Sequence, residues 1–312
     1  MHFSIVIPTR NRCLFLESLL KNISRLEYDK NKIELIVVDN RSIDDTRKIV
    51  KIFIKNNPKL TTYYLYKAEI GPSYARNSGI KKAKFSHVVC IDDDVLIEKD
   101  LLLRLASIFE RHPKAALVGG KNIAISPYNK RLEYFMKLLN KDVWVFAHTV
   151  RKEKSVSELQ YPDMLMSACI CINRNVFDGF FSENFGREYG NFMIFAEDTE
   201  LCFRLILEGK IVIYDPSLVS KHVISENKLT FKYILKRFYQ TGVEQRILDD
   251  MLSKKGLSMI FQKNLYEIYG YVKLAMKLKN IECIVVLAKE ITLLLGYKSL
   301  RAKEILKEIN LH

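Results

Sequence analysis

The chain has 312 residues, with 50 Lys and Arg against 36 Asp and Glu and a formal net charge of +14. That length holds one large α/β domain with an appendage or two modest domains, and either buries a core without covalent staples. Six cysteines with no CxxC pair argue against a zinc site or a disulfide framework and point to a reducing compartment.

The opening apolar run, residues 3–8, lacks a basic lead and is too short for a signal peptide, so it reads as a first strand ended by Pro8. Helical spacing follows over 13–25, then a strand over 33–39, a helix over 43–55, a strand over 61–67 and a helix over 72–84. A strand over 85–91, a helix over 98–110 and a strand over 115–119 complete the alternation. This order predicts a mostly parallel sheet covered by helices on both faces. Ligands of such sheets gather at the carboxyl ends of the strands. Thr9 to Arg12, Asp39 with Asn40, and Asp92 to Asp94 therefore share one edge.

Each of these residues carries two readings. Asp39 can accept hydrogen bonds from a nucleoside, or it can cap its strand end. Pro72 opens a helix that carries Arg76 one turn in, within reach of a diphosphate or simply solvated. The glycines around it are spaced for neither a GxGxxG loop nor a P-loop. Asp92, Asp93 and Asp94 follow a buried strand, and that much like charge suits Mg²⁺ or Mn²⁺ carrying phosphate oxygens. A solvated acidic turn is the alternative.

Beyond residue 120 the pattern weakens. Residues 121–165 are rich in aromatics, Trp144 among them, as a small satellite core or a variable binding insert would be. A strand over 165–172 and a short helix over 175–180 precede Glu197 and Asp198, which open a helix over 199–208 with one apolar stripe. A carboxylate held there can take a proton from a hydroxyl, or it can cap the helix. From Lys228 onward the pattern is helical, and these residues hold 16 Lys and Arg against 8 Asp and Glu. The apolar stretch Ile281 to Tyr297 is interrupted by charges and reads as an amphipathic or core helix rather than a membrane span. With the basic tail, it suits an anionic membrane surface or a helical cap.

Five blocks in order carry a family resemblance. They are Ser4 to Arg12, Ile36 to Thr46, Gly71 to Gly79 with Asp92-Asp93-Asp94, Met166 to Phe177, and Ala196 to Leu205. Together they resemble family 2 glycosyltransferases of the GT-A fold over residues 3–225. The resemblance implies a catalytic domain over 1–227, with a nucleotide-sugar half to about 120 and an acceptor half beyond it, and a basic helical region over 228–312. It places Pro8, Thr9 and Arg12 beside the nucleotide, Asp39 on the base and Arg76 as a nucleotide-positioning group. Asp92 and Asp94 match the metal-and-diphosphate motif, with Asp93 touching ribose or metal, and His222 matches a further metal or phosphate contact. Asp198 matches the general base, while Glu197 and the insert around Trp144 fall on the acceptor side.

The expectation is thus a cytoplasmic, Mn²⁺- or Mg²⁺-dependent inverting hexosyltransferase, peripheral at the inner face of the cell membrane. It would move a sugar from a nucleoside diphosphate to a hydroxyl of a glycan or glycolipid in cell-surface polysaccharide synthesis. A transferase with a polyprenyl phosphate acceptor shares every one of these motifs. A non-catalytic nucleotide-sugar-binding scaffold keeps the fold and loses the chemistry. Nothing in the sequence suggests a nucleic-acid partner.

Overall fold

Alternation along three central strands decides the architecture. In β1 (Phe3–Thr9), β2 (Ile33–Asp39) and β4 (His87–Ile91) successive apolar residues fall alternately into two buried clusters, one on each face. Ile5, Ile7, Leu35, Val37, Val89 and Ile91 pack on α1 (Cys13–Ser24), α2 (Thr46–Asn56) and α4 (Leu101–Arg111). Val6, Ile36, Val38, Val88 and Cys90 face α3 (Pro72–Lys82) and α6 (Glu197–Leu207). Both faces are apolar, so both must be covered by helices. The computed structural model describes residues 1–310 apart from 150, 152, 190–191, 254–287 and 289–290.

Strands β3 (Thr61–Tyr66), β2, β1 and β4 pair in that order and all run parallel. The sheet then turns antiparallel, because β8 (Cys169–Asn173) inserts between β4 and β6 (Ala115–Ile125). β11 (Ile211–Val223) follows β6, and the short β5 (Val95–Ile97) pairs with its far end. The α/β sheet flanked by helices is therefore present, parallel in the half that the strand-helix alternation spelled out. β7 (Ser157–Glu158) pairs with β11, and β9 (Arg187–Tyr189) with β10 (Phe192–Ile194) forms a separate hairpin.

Strand β1 does not stop at Pro8 but continues to Thr9. Its pairing with β4 ends at Val6, whereas its pairing with β2 runs on to Asp39, so the missing N–H of Pro8 costs no bond on the β4 side. The expected short helix over 175–180 is instead a turn. Asn173 accepts the Asn175 N–H through its side chain and the Val176 N–H through its backbone, and Gly179 sits at φ +88°. The strand expected to end near residue 119 runs on to Ile125.

Two compact units emerge. The first is Met1–Ala124 with Ala147–Val223, and the second is Ile125–Phe146 with Ile224–His312. The described residues of the second include α5 (Asn129–Leu139), α7 (Phe231–Ser253) and a helix over Leu300–Asn310. Trp144 lies in this unit with its ring 5.8 Å from Phe238 of α7. Most of the stretch Ile281 to Tyr297 lies outside the described residues, as does Cys283; the other five cysteines carry free thiols.

Helix α3 lies close on β1 and β2, and Gly79 sets that closeness. A Cβ at Gly79 would stand 2.3 Å from Cγ1 of Val6 and 3.2 Å from Cγ2 of Val38. Gly79→Ala should therefore lower stability by about 1–3 kcal/mol in urea unfolding, the usual cost of overpacking. An unchanged midpoint would show that α3 moves away freely.

Candidate active site

The site grows from the carboxyl ends of β1, β2 and β4. Asn11, at φ +53°, accepts the Ile43 N–H at 2.8 Å, and its own N–H reaches Ser42 Oγ at 3.0 Å. Asp44 accepts the Cys13 N–H at 2.9 Å and the Thr46 N–H at 3.1 Å, capping α1 and α2 with one side chain. Desolvation alone would raise its pKa, but hydrogen bonds from Thr46 and Cys13 hold Asp44 below the usual carboxylate range. Asn40 fastens the next loop, donating to the Glu69 carbonyl at 2.6 Å and accepting the Gly71 N–H at 2.8 Å. These loops form one hydrogen-bonded rim around the strand ends.

The acidic triplet sits against that rim and is mostly buried. Thr9 Oγ1 donates to Asp93 at 2.8 Å, and Arg12 Nη1 reaches Asp93 at 3.0 Å and Asp94 at 2.9 Å. Burial pushes the Asp93 carboxyl up, with Arg12 pulling it back and Asp94 adding to the rise. Asp94 also faces His222, whose Nε2 lies 3.3 Å from Oδ2. His222 is not beyond its strand but within β11, opposite Val95, where the Val223 N–H bonds the Asp94 carbonyl at 2.8 Å.

Arg76 connects this corner to the start of α6. It is 2% exposed, and its guanidinium donates to Asp92 at 2.6 Å and to Glu197 at 2.7 Å, with Ser167 Oγ at 3.3 Å. Desolvation would lower the Arg76 pKa, but Asp92 and Glu197 carry it upward, so the group stays charged. Burial raises Asp92 and Glu197 above ordinary carboxylates, and Arg76 opposes both shifts. The Phe181 ring lies 5.2 Å from the guanidinium carbon and closes one side.

Asp198 stands in the first turn of α6, which begins after Ala196 in the left-handed region at φ +69°. Its Oδ1 accepts the Thr199 N–H at 2.8 Å and its Oδ2 accepts the Ser167 N–H at 3.0 Å. The next carbonyl, that of Ala168, accepts the Asp92 N–H at 3.1 Å. Two adjacent residues of one loop therefore touch Asp198 and Asp92.

Thr9, Arg12, Asp92, Asp93, Asp94, Arg76, Glu197, Asp198 and His222 form this linked cluster, and Pro8 leads into it. Asp39 joins through Ser42 and Asn11. Sequence reasoning passed over Ser167 and Tyr64, whose hydroxyl bonds Asp39, and gave Asn40 a place on this edge without a role. Asp44 had a visible signal, a turn acid before a helix, whereas Ser167 shows only once the sheet has folded.

The model for glycosyl transferase family 2 matches residues 4–178, more than half of the chain. The chain belongs to glycosyl transferase family 2. Among curated relatives, this family 2 chain is 25% identical over 177 residues to the poly(ribitol-phosphate) β-N-acetylglucosaminyltransferase TarS of Staphylococcus aureus, 54% of this chain and 31% of that protein. It is 28% identical over 117 residues to the poly-β-1,6-N-acetyl-D-glucosamine synthase of Staphylococcus epidermidis, 38% of this chain and 27% of that one. The matches thus span less than a third of these relatives' lengths. The fold resembles the Pyrobaculum calidifontis mannosyltransferase PcManGT solved with GDP-Man and Mn²⁺, at TM-score 0.60 and 18% identity over 99% of this chain and 79% of that one. It also resembles S. aureus TarS residues 1–349 with UDP-GlcNAc, at TM-score 0.56 and 18% identity over 86% of this chain and 77% of that one.

Removing the Arg76 charge takes away the partner that Asp92 and Glu197 share. Arg76→Met should cost about 3–5 kcal/mol of stability. Adding Glu197→Gln should recover part of that loss in a double-mutant cycle read by denaturant unfolding. Strict additivity of the two losses would show that the pair is not coupled.

Proposed function

We propose that this family 2 chain is an inverting glycosyltransferase. It moves a hexose from a nucleoside diphosphate to a hydroxyl of a glycan or glycolipid in cell-surface polysaccharide synthesis. The observation that carries this reading is the joint grip of Arg76 on Asp92 and Glu197, which ties the acidic corner to the start of α6. The activities of TarS and the poly-N-acetylglucosamine synthase support the polysaccharide assignment.

The acceptor hydroxyl approaches Asp198, whose carboxylate is aimed by two backbone N–H groups. As the hydroxyl oxygen bonds to the anomeric carbon, its proton passes to Asp198. The bond from that carbon to the diphosphate breaks, and its electron pair leaves with the phosphate oxygen. One displacement inverts the centre and needs no covalent intermediate. Glu197 holds Arg76 and so keeps the acceptor side in place, while Arg12 adds positive charge where the diphosphate departs.

Among the described residues no group of three or more His, Cys, Asp or Glu stands ready as a metal cage. Asp94 and His222 nevertheless offer a hard oxygen and an imidazole nitrogen 3.3 Å apart, a two-donor set that fits a cation completing its shell with phosphate and water. Asp94 and His222 would hold Mn²⁺ or Mg²⁺, which would neutralise charge on the leaving diphosphate. Manganese in the mannosyltransferase neighbour supports that part of the proposal.

Peripheral attachment to an anionic membrane belongs to the same reading. No helix among the described residues is long and apolar enough to cross a membrane. In the second unit Tyr134 and Phe231 are 49% and 46% exposed and Leu235 38%. They share α5 and α7 with exposed Lys130, Lys137, Lys232 and Lys236. Apolar side chains amid lysines suit an anionic lipid surface.

Asp198→Asn should lower kcat by about 100- to 10,000-fold while nucleotide binding with Mn²⁺ persists in a thermal-shift assay. Transfer at the parental rate would sink the catalytic assignment. Phe231→Ser with Lys232→Ser and Lys236→Ser should reduce sedimentation with phosphatidylserine vesicles and leave neutral vesicles unaffected. Identical partition of parent and variant would remove the membrane reading.

A further inference from the structure

We propose that Tyr64 is a positioning residue for nucleotide selection. Its hydroxyl fixes the Asp39 carboxylate so that the remaining acceptor positions read a base presenting a ring N–H. The inference rests on the proposed use of a nucleoside diphosphate sugar and deepens it, since it names the class of base.

Asp39 ends β2 only 2% exposed, and both of its oxygens are already engaged. Oδ1 accepts the Ser42 N–H at 2.7 Å, and Oδ2 accepts the Tyr64 hydroxyl at 2.5 Å. Tyr64 stands opposite Val37 on the neighbouring parallel strand, and Tyr66 stands opposite Asp39. The phenol therefore reaches one step diagonally along β3 to arrive at the carboxylate. Strand register does not require this, because six consecutive residue pairs from Glu34 to Asp39 already join β2 to β3.

A carboxylate has about four lone-pair positions, so two filled positions leave two. Desolvation and then the neighbouring Asp39 push the Tyr64 phenol pKa up, so its proton stays on the phenol. The Asp39 positions that remain can only accept. A partner there must donate, which suits a uracil or guanine ring N–H. Cytosine and adenine carry a ring acceptor at the corresponding place and meet repulsion. Held from two directions, Asp39 cannot swing to relieve a mismatch, and an unpaired buried acceptor is costly.

The same rim runs to the phosphate end. Ser42 Oγ accepts the Asn11 N–H at 3.0 Å, and Arg12, one residue on, bonds Asp93 and Asp94. A base read at Asp39 thus lies on a continuous hydrogen-bonded path to the acidic corner.

The test is calorimetric binding of UDP, GDP, ADP and CDP, each with Mn²⁺, to the parent chain and to Tyr64→Phe, which deletes only the hydroxyl. The parent should prefer UDP or GDP. Tyr64→Phe should weaken that preferred nucleotide by about tenfold and leave ADP and CDP unchanged, so that selectivity falls. Equal weakening of all four, or wild-type affinity and selectivity in Tyr64→Phe, would overturn the role of Tyr64 alone. Preference of the parent for ADP or CDP would overturn the base class. A parent that binds none of the four would overturn the nucleotide-sugar reading and this inference with it. Melting temperatures of both proteins separate a folding defect, which would also refute a positioning role if it accounted for the lost binding.

Discussion

One buried guanidinium governs the site. Arg76 lies between Asp92 and Glu197, residues more than a hundred positions apart; Arg76 and Glu197 are buried and Asp92 partly so, and each is expensive to desolvate without a partner. Their mutual requirement makes the acidic corner and the start of α6 a single structural object. An ion pair of this kind adds little net stability compared with apolar packing, but it specifies which arrangement of two loops is allowed. Here that arrangement is one in which two carboxylates approach a common space.

Geometry elsewhere serves the same end. Gly79 lets α3 settle on β1 and β2, which sets the depth at which Arg76 emerges. Ser167 and Ala168 then bond Asp198 and Asp92 through their own backbone, so the loop before β8 measures the gap between the two acids. Backbone amides aim Asp198 without spending a side chain on it. Under the proposed role of Asp198, that aim matters because proton transfer depends steeply on reach.

Much of this was readable from the residues. Continuous burial along Phe3–Thr9 and Ile33–Asp39 and over all but the first residue of His87–Ile91 is written in their β-branched composition, and it required helices on both faces. The rule that ligands gather at carboxyl ends then grouped Thr9, Asp39 and the Asp92–Asp94 triplet. What stayed hidden depends on pairing across the sheet. The insertion of Cys169–Asn173 beside His87–Ile91 reverses the sheet's direction and carries Ser167 into the site, and no local pattern announces it. Tyr64 looked like one aromatic among several in an edge strand, since only its diagonal offset from Asp39 gives the hydroxyl a partner. Residues 175–180 had helical spacing, yet Asn173 competes for the first N–H groups and a turn results.

Asp44 has a wider consequence. By terminating α1 and α2 with a single carboxylate, it makes two helices and the loops leading into them one mechanical piece. A ligand arriving at such a piece finds its contacts already arranged, and the entropy of arranging them was surrendered when the chain folded. Under the proposed nucleotide-sugar reading, such a rim would favour a visitor that fits it as it stands over one that needs the loops to rearrange.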